Sequence, residues 1–453
     1  KDEIVPWMRR LSDDVHEAGA KVMIQLTHLG RRTNWDKGDW LPILAPSPLR
    51  EPAHRAWPKA IEDWDIDRII PQYADAAERM IAAGLDGIEI EAYGHLIDHF
   101  WSPATNHRDD AYGGGLDNRL RFFMAVLRAI RDRIGAEPLI SVRLVCDEQW
   151  EAGLSREEGL EIARRIAATG EVDILNIIRG HIDTDAALRR VIPISGDRTA
   201  PHLDFAGEVR AAQAGAVAVF HASRIADVAT ARHAIAEGRL DMAAMTRAHM
   251  ADPHIARKIA EGREDDIRPC VGASYCIDRI YVRGEALCIH NPATGREGAV
   301  PNVIAPAGEG RRAVVIGAGP AGLEAARVLG ERGHSVVVLE AQDQPGGQVR
   351  LLARSPRRKD LIGIVDWRVA QCARLGVEIR TNVYAEGAEV LAEQPDLVIV
   401  ATGGMPWSGF LEGRGEERVV SGWDILSGAA TPAGEVLIFD DSADHPGLQA
   451  AEA

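Results

Sequence analysis

The first 260 or so residues alternate short apolar runs with amphipathic stretches. "KVMIQL" (21–26), "GIEIEAY" (87–93), "LISVRL" (139–144), "DILNII" (173–178), "AVAVFHA" (216–222) and "DMAAMTR" (241–247) are short and apolar, with charge mainly at their C-terminal ends. This pattern predicts buried parallel strands. Residues 67–83, 118–134, 155–169 and 227–237 predict helices between them, and the chain opens in a further helix over 4–18. Repeated βα units mean a barrel or a doubly wound sheet. Polar and aromatic residues cluster just after the strands, where a (βα)8 barrel builds its active site. Six strands cannot close such a barrel, so the first two are expected upstream of Lys1.

The pattern changes at "GREGAVPNVIAPAGEGRR" (295–312), a Pro/Gly/Ala-rich joint that marks a domain boundary. "RRAVVIGAGPAGLEAARVLGERGHSVVVLE" then predicts a strand, a glycine turn, a helix and a second strand ending at Glu340. Gly317 permits the turn, Gly319 lets the backbone approach a pyrophosphate, and Gly322 lets helix and strand pack closely. Glu340 stands where a carboxylate accepts a hydrogen bond from a ribose 2′-OH. "PGGQ", with Gly347 and Gln348, and "VIVATGG", with Thr402 and Gly403, resemble the second glycine pair and the ATG strand of flavoproteins with two dinucleotide domains. They favour FAD or its ADP half over NAD. A further strand is predicted from 435, followed by Asp440, Asp441 and Asp444 where phosphate-cradling glycines would stand. Those acids would repel a pyrophosphate, so this incomplete third unit is not expected to hold NAD(P)H.

A length of 453 residues predicts two or three domains, and 46% hydrophobic with 26% charged residues is a globular composition. The net charge of −16 argues against nucleic acid or an anionic membrane as partner. No apolar run approaches the length of a membrane span. Of the five cysteines, Cys270, Cys276 and Cys288 lie close together, which suggests metal in a reducing, cytoplasmic compartment. Trp35 and Trp40 follow the first strand. Aromatic faces there can hold a methylated ammonium, although ordinary packing explains any one tryptophan as well.

The segments "IQLTHLGR" (24–31), "FWSPATNHRDDAYGGGLDNRLRF" (100–122), "TRAHMADP" (246–253) and "DDIRPC" (265–270) carry a resemblance. The chain resembles the Old Yellow Enzyme-like FMN/iron–sulfur flavoproteins of the trimethylamine dehydrogenase / 2,4-dienoyl-CoA reductase family, above all its N-methylproline (dimethylglycine) demethylase-like members. The resemblance implies an α/β chain in four parts, cut at both ends. These are an FMN-binding TIM barrel (1–262), an iron–sulfur loop (263–298), a Rossmann-like FAD/ADP domain (299–434) and the start of an NAD(P)-like unit (435–453).

By the same resemblance Gln25 hydrogen-bonds the flavin pyrimidine and Arg143 stands near flavin N1 and O2. Arg224, preceded by Ser223, and Arg247 bind the FMN phosphate; the family's glycines before Arg224 are His221, Ala222 and Ser223 here. Reductases of the family carry a His/His or His/Asn pair after the second strand, and amine dehydrogenases carry Tyr and His. This chain has Glu91, Tyr93 and His95, with Asn176 where trimethylamine dehydrogenase-like members have an aspartate. A carboxylate would attract an ammonium, and a base would yield the neutral amine. Two plainer alternatives stay open: His95 packing in its loop, and Glu91 paired with an arginine. Cys270, Cys276 and Cys288 match the first, third and fourth ligands of a [4Fe–4S] loop, and Ala273 replaces the second. The options are a three-iron cluster, a four-iron cluster completed by Ser274, Asp278 or water, or zinc with His290.

The expected activity is oxidative N-demethylation of a small methylated amine such as an N-methyl amino acid. Electrons would pass from FMN to the cluster and on to an electron-transfer flavoprotein or similar acceptor, and a homo-oligomer is possible. The alternatives are an NAD(P)H-dependent enoate or 2,4-dienoyl-CoA reductase and a non-catalytic binding subunit.

Overall fold

A computed structural model describes all residues except 34–41, 54, 283, 408, 410–418 and 441–444. Trp35, Trp40, Asp441 and Asp444 therefore lie outside the described residues. The chain divides into two compact units, Lys1–Pro193 with Thr199–Met245, and Ile194–Arg198 with Thr246–Ala453. The division falls at Met245, upstream of the expected boundary at 262.

In the first unit the strands Met23–Leu26, Gly87–Ala92, Leu139–Val145, Ile174–Ile178, Ala218–His221 and Met242–Ala243 lie side by side in chain order. Every neighbouring pair is parallel. These are six strands of a (βα)8 TIM barrel. All six predicted strands are present. The sixth shrinks to two residues because Thr246 already opens the helix Thr246–Ala251. The predicted helices appear as Val5–Glu17, Asp63–Ala82, Leu116–Ile134, Arg156–Ala168 and Val228–Ala236.

The helices Leu96–Trp101, Asp185–Val191 and Leu203–Ala212 were not anticipated. Leu96–Trp101 is buried on every side, so it shows no amphipathic period. Its start is fixed instead by Asp98, whose carboxyl accepts the backbone N–H groups of Gly94 (2.6 Å) and His95 (2.7 Å).

Alternation along the strands sorts the side chains into two sets. Ile88, Ile90, Ile140, Val142, Leu144, Leu175, Ile177 and Val219 are buried in one core with Ile66, Ile69, Phe122, Val126 and Ile162 from the helices. The other face carries Gln25, Glu89, Glu91, Ser141, Arg143 and Asn176. Register aligns Gln25 with Glu89 and Ser141, and Glu91 with Arg143 and Asn176. The polar residues of the candidate site thus share one face because they share one parity.

In the second unit four parallel strands run in the order Glu378–Arg380, Ser335–Leu339, Arg312–Ile316, Leu397–Val400. Helices Pro320–Glu331 and Gly363–Arg374 pack on this Rossmann-like sheet through Leu323, Ala326, Val365 and Cys372. The strand predicted from 435 is not formed. Residues 435–440 pair with no strand among the described residues, and Val436, Leu437, Ile438 and Phe439 are exposed. An apolar run becomes a strand only where a neighbour completes its ladder. Among the described residues no helix is long and apolar enough to cross a membrane.

Candidate active site and cysteine cavity

On the polar face of the barrel strands three donors converge on one carboxylate. Glu89 accepts hydrogen bonds from Gln25 Nε2 (2.8 Å), Ser141 Oγ (2.9 Å) and Asn176 Nδ2 (3.0 Å). Gln25 and Asn176, singled out for flavin and substrate, are therefore tied to the same neighbour. Sequence reasoning passed over Glu89, although "EIE" puts it on the same face as Glu91. With Nε2 of Gln25 engaged, its carbonyl oxygen is left to accept.

One step toward the C-terminal strand ends, Glu91 is buried with Oε1 3.7 Å from Arg143 Nε. That distance is an ion-pair contact, not a hydrogen bond. Burial pushes the Glu91 carboxyl up to about 8, against the pull of Arg143. Glu91 therefore faces an arginine, the plainer of its two expected settings, and keeps its proton at neutral pH. Glu91 is thereby a group that becomes a base as the pH passes about 8. Tyr93 is buried beside it, with the Arg143 guanidinium 5.8 Å from its ring. Burial raises the Tyr93 phenol. Burial, then Arg32 and Arg143, push His95 down to about 4, so its ring is neutral.

Past the strand ends a small cavity is lined by Tyr93, Asp98, His99, Glu148, His181 and Asp183, with Arg31 at its wall. Arg31 pairs with Asp183 (2.6 Å), and Arg32 reaches Glu51 (3.2 Å) and Asp183 (3.5 Å). Glu148 accepts from Ser102 Oγ (2.6 Å) and the Leu154 N–H (2.5 Å), and burial raises its carboxyl. Apart from Tyr93 none of these was anticipated, although the doubled arginine of "HLGRR" after the first strand was a visible signal.

At the end of the fifth strand Ser223 and Arg224 both adopt left-handed backbone, with φ of 73° and 59°. Glycine takes this conformation without a steric cost and other residues do not. Arg247, expected at the same phosphate, lies in the second unit and lines the cavity that holds the cysteines.

That cavity is walled by Cys270, Cys276 and Cys288 together with Ala273, Ser274 and His290. Burial raises the Cys276 thiol, Arg247 lowers it, and Cys270 and Cys288 raise it further. Among the described residues no three His, Cys, Asp or Glu side chains are close enough to ligate a single metal ion. Behind the Cys288–His290 edge stand three guanidinium groups. Arg268 and Arg327 lie 4.4 and 5.5 Å from the Trp367 ring. Arg368 and Arg327 both pair with Glu324, at 2.8 and 2.7 Å.

In the Rossmann-like part the predicted residues surround one turn. A Cβ on Gly322 would meet the Gly317 carbonyl oxygen at 1.9 Å, whereas one on Gly319 would have nothing within 4 Å. The first glycine is demanded by packing, and the second leaves space for a ligand. Gly347 approaches Gly319, and Gln348 Nε2 donates to Gly404 O (3.4 Å), next to Thr402 and Gly403. Glu340 accepts the N–H groups of Ala318 (2.6 Å) and Gln342 (2.9 Å), which fixes its carboxylate beside the turn.

Residues 1–266 match the NADH:flavin oxidoreductase / NADH oxidase family. The chain belongs to that family. Residues 315–367 match the NAD(P)-binding Rossmann-like domain. The chain is 63% identical over 452 residues to a probable N-methylproline demethylase of Rhizobium meliloti, covering 100% of this chain and 66% of that protein. It is 44% identical over 460 residues to the N,N-dimethylglycine/sarcosine dehydrogenase of Chromohalobacter salexigens, again covering 100% of this chain and 66% of the relative. The chain thus spans just under two thirds of the length of these curated relatives. Among solved structures, histamine dehydrogenase from Rhizobium sp. 4-9 superposes with a TM-score of 0.87 at 28% identity, over 100% of this chain and 67% of that one. A 2-naphthoyl-CoA reductase superposes with a TM-score of 0.90 at 29% identity, over 100% of this chain and 70% of that one.

The residues of this flavin oxidoreductase family member fit a flavin on the barrel. Arg143 Nε, Tyr93 Oη, Asn176 Oδ1 and Ser223 Oγ are buried without a hydrogen-bond partner among the described residues. Buried polar atoms are normally satisfied, so orphans gathered along the strand ends mark the place of a polar ligand.

Proposed function

We propose that the chain forms the flavin and electron-transfer part of an amine demethylase acting on a small N-methyl amino acid. The observation that carries this reading is the trio Glu91, Tyr93 and Arg143. By the resemblance, Glu91 and Tyr93 lie in the stretch where the family's reductases carry a His/His or His/Asn pair, and Arg143 faces both. The names of the two curated relatives, N-methylproline demethylase and dimethylglycine/sarcosine dehydrogenase, support the substrate class.

A bound FMN would supply the two-electron acceptor for the hydride equivalent lost from the N-methyl carbon, and water would supply the oxygen of the formaldehyde released. Gln25 offers its free carbonyl oxygen to an N–H of the flavin while Glu89 keeps the amide from turning. Arg143 supplies a fixed positive charge, which favours negative charge developing nearby. Glu91, uncharged at neutral pH, takes a proton from the substrate ammonium as the pH rises. Tyr93 donates its unpartnered hydroxyl to the substrate. Ser223 and Arg224 hold a phosphate. In the second unit, three thiols around one cavity support an iron–sulfur cluster, and the open side of Gly319 supports FAD or ADP. A three-iron cluster and a four-iron cluster both remain within this reading. An external acceptor such as an electron-transfer flavoprotein would receive the electrons, and self-association belongs to the same proposal.

The likeness to 2-naphthoyl-CoA reductase favours a second reading, an NAD(P)H-dependent reductase. Anaerobic stopped-flow absorbance separates the two. The full-length protein loaded with FMN should bleach with N-methylproline, dimethylglycine or sarcosine, and Tyr93→Phe should slow bleaching by about 10²-fold. Rapid bleaching by NADPH and none by any amine would replace the demethylase reading.

A further inference from the structure

We infer that His290 supplies, through Nε2, the fourth protein ligand of an iron–sulfur cluster whose other ligands are Cys270, Cys276 and Cys288. The inference rests on the cluster reading above and goes beyond it by naming the group that replaces the thiol missing at Ala273.

The tautomer comes first. His290 Nδ1 lies 2.9 Å from the Pro269 carbonyl oxygen. A carbonyl only accepts, so Nδ1 carries the hydrogen and Nε2 of the neutral ring carries the lone pair. A histidine that donates one ring N–H to a backbone carbonyl and offers the other nitrogen is the usual arrangement around a bound metal.

The burial comes second. His290 is 1% exposed, and its Nε2 has no hydrogen-bond partner among the described residues. It lines the same cavity as the three cysteines. A buried lone pair with nothing to accept calls for an occupant.

The ring is also held in place. Arg368 Nη2 donates to the His290 carbonyl oxygen (2.9 Å), and the Trp367 ring stands edge-on to the imidazole at 5.4 Å. The His290 backbone N–H donates to Cys288 Sγ (3.4 Å), which ties the sulfur to the histidine's own backbone.

The competing ligands fit less well. Asp278 is not among the residues lining the cavity. Ser274 does line it, but a hydroxyl must lose a proton to become a comparable ligand, and a neutral imidazole need not. Zinc would require donors converging on one point, and no three do so. Four donors that line one cavity without converging on a single point call for a group with several metal corners rather than one ion. One imidazole in place of a thiolate makes the site one charge less negative, which raises its reduction potential and favours electron acceptance.

The test uses full-length protein prepared anaerobically with ¹⁵N-labelled histidine. Iron and sulfide analysis should find a cluster, and pulsed EPR of its reduced form should show one strongly coupled nitrogen. His290→Ala should lose that coupling and one iron. His290→Cys should keep four irons and lower the potential. A four-iron cluster with no coupled nitrogen overturns the assignment of His290 and leaves the cluster standing. Labelled protein that takes up no iron and sulfide overturns both. The labelled unsubstituted protein decides the matter even if a variant does not fold.

Discussion

The polar face of the barrel and the wall behind the cysteine cavity balance their charges in different ways. On the barrel Glu89 and Glu91 stand near Arg143, and burial leaves Glu91 protonated up to about 8. On the wall Arg327 and Arg368 share Glu324, while Arg268 rests on Trp367 with its Nε unsatisfied among the described residues. A carboxyl relieves crowding by keeping its proton. A guanidinium cannot shed one at neutral pH; even Arg268, which burial pushes down to about 10, stays charged. The barrel therefore holds a charge that pH can switch, and the wall holds a permanent one that an anionic occupant would balance. Thiolates around a proposed cluster are such an occupant, and an amine that gives up a proton suits the barrel.

The comparison breaks most sharply at Arg368. Its side chain pairs with Glu324 and donates to the carbonyls of Ile364 (2.9 Å) and His290 (2.9 Å), and the residue is buried. Removing one partner of a buried pair strands the other, at a cost of about 3–5 kcal/mol. Arg368→Met should therefore destabilise the protein by about that amount, read from urea unfolding followed by tryptophan fluorescence. A loss below about 1 kcal/mol, the range of an exposed pair, would mean that the wall's charge is solvated and needs no anion.

Glu91 sharpens the other half. Its folded value of about 8 lies above its ordinary 4.5. A raised acid contributes stability that is fully present below the unfolded value and is lost as pH rises through the folded one. Between about pH 5 and pH 9 the unfolding free energy should fall. Glu91→Gln should flatten that fall, while Asp98, raised to about 7 by burial, keeps part of it. Flavin reduction by the amine should rise over the same range in the unsubstituted protein and lose that rise in Glu91→Gln. Identical pH profiles for the two proteins would remove Glu91 from the proton path.

The two regions also differ in how much of them can be read from residues. The barrel strands repeat apolar and polar positions with period two, so the face shared by Gln25, Glu91, Arg143 and Asn176 was legible before any coordinates. What period cannot show is which polar neighbours bond to each other. That is why Glu89 was missed, and why the pairing of Glu91 with Arg143 stood only as one alternative. Leu96–Trp101 escaped because a helix buried all round has no stripe. The run from 435 was misjudged because local apolarity says nothing about a missing ladder partner. The cysteine loop has no period at all. Its three cysteines were found by spacing and resemblance, and His290 was noticed only as a zinc ligand, because the Nδ1 contact to Pro269 joins residues 21 positions apart.

The smallest expected effect concerns the phosphate end of the barrel, where the feature at issue is neither acid nor arginine but backbone strain. Ser223 has a φ of 73°, and its Oγ is buried with no partner among the described residues. Two roles are combined in one residue, and two substitutions separate them. Ser223→Gly removes both the strain and the hydroxyl; Ser223→Ala removes only the hydroxyl. Relief of left-handed strain is worth about 1 kcal/mol, partly offset by the extra freedom of glycine in the unfolded chain. In flavin-free protein Ser223→Gly should therefore be more stable than Ser223→Ala by up to about 1 kcal/mol. If Ser223 Oγ donates to a phosphate oxygen, both variants should bind FMN more weakly by a similar factor, about tenfold for one lost hydrogen bond to a charged group. Fluorescence titration of FMN measures this. Equal affinity in all three proteins would assign Ser223 to the turn alone and leave the phosphate to Arg224 and the backbone.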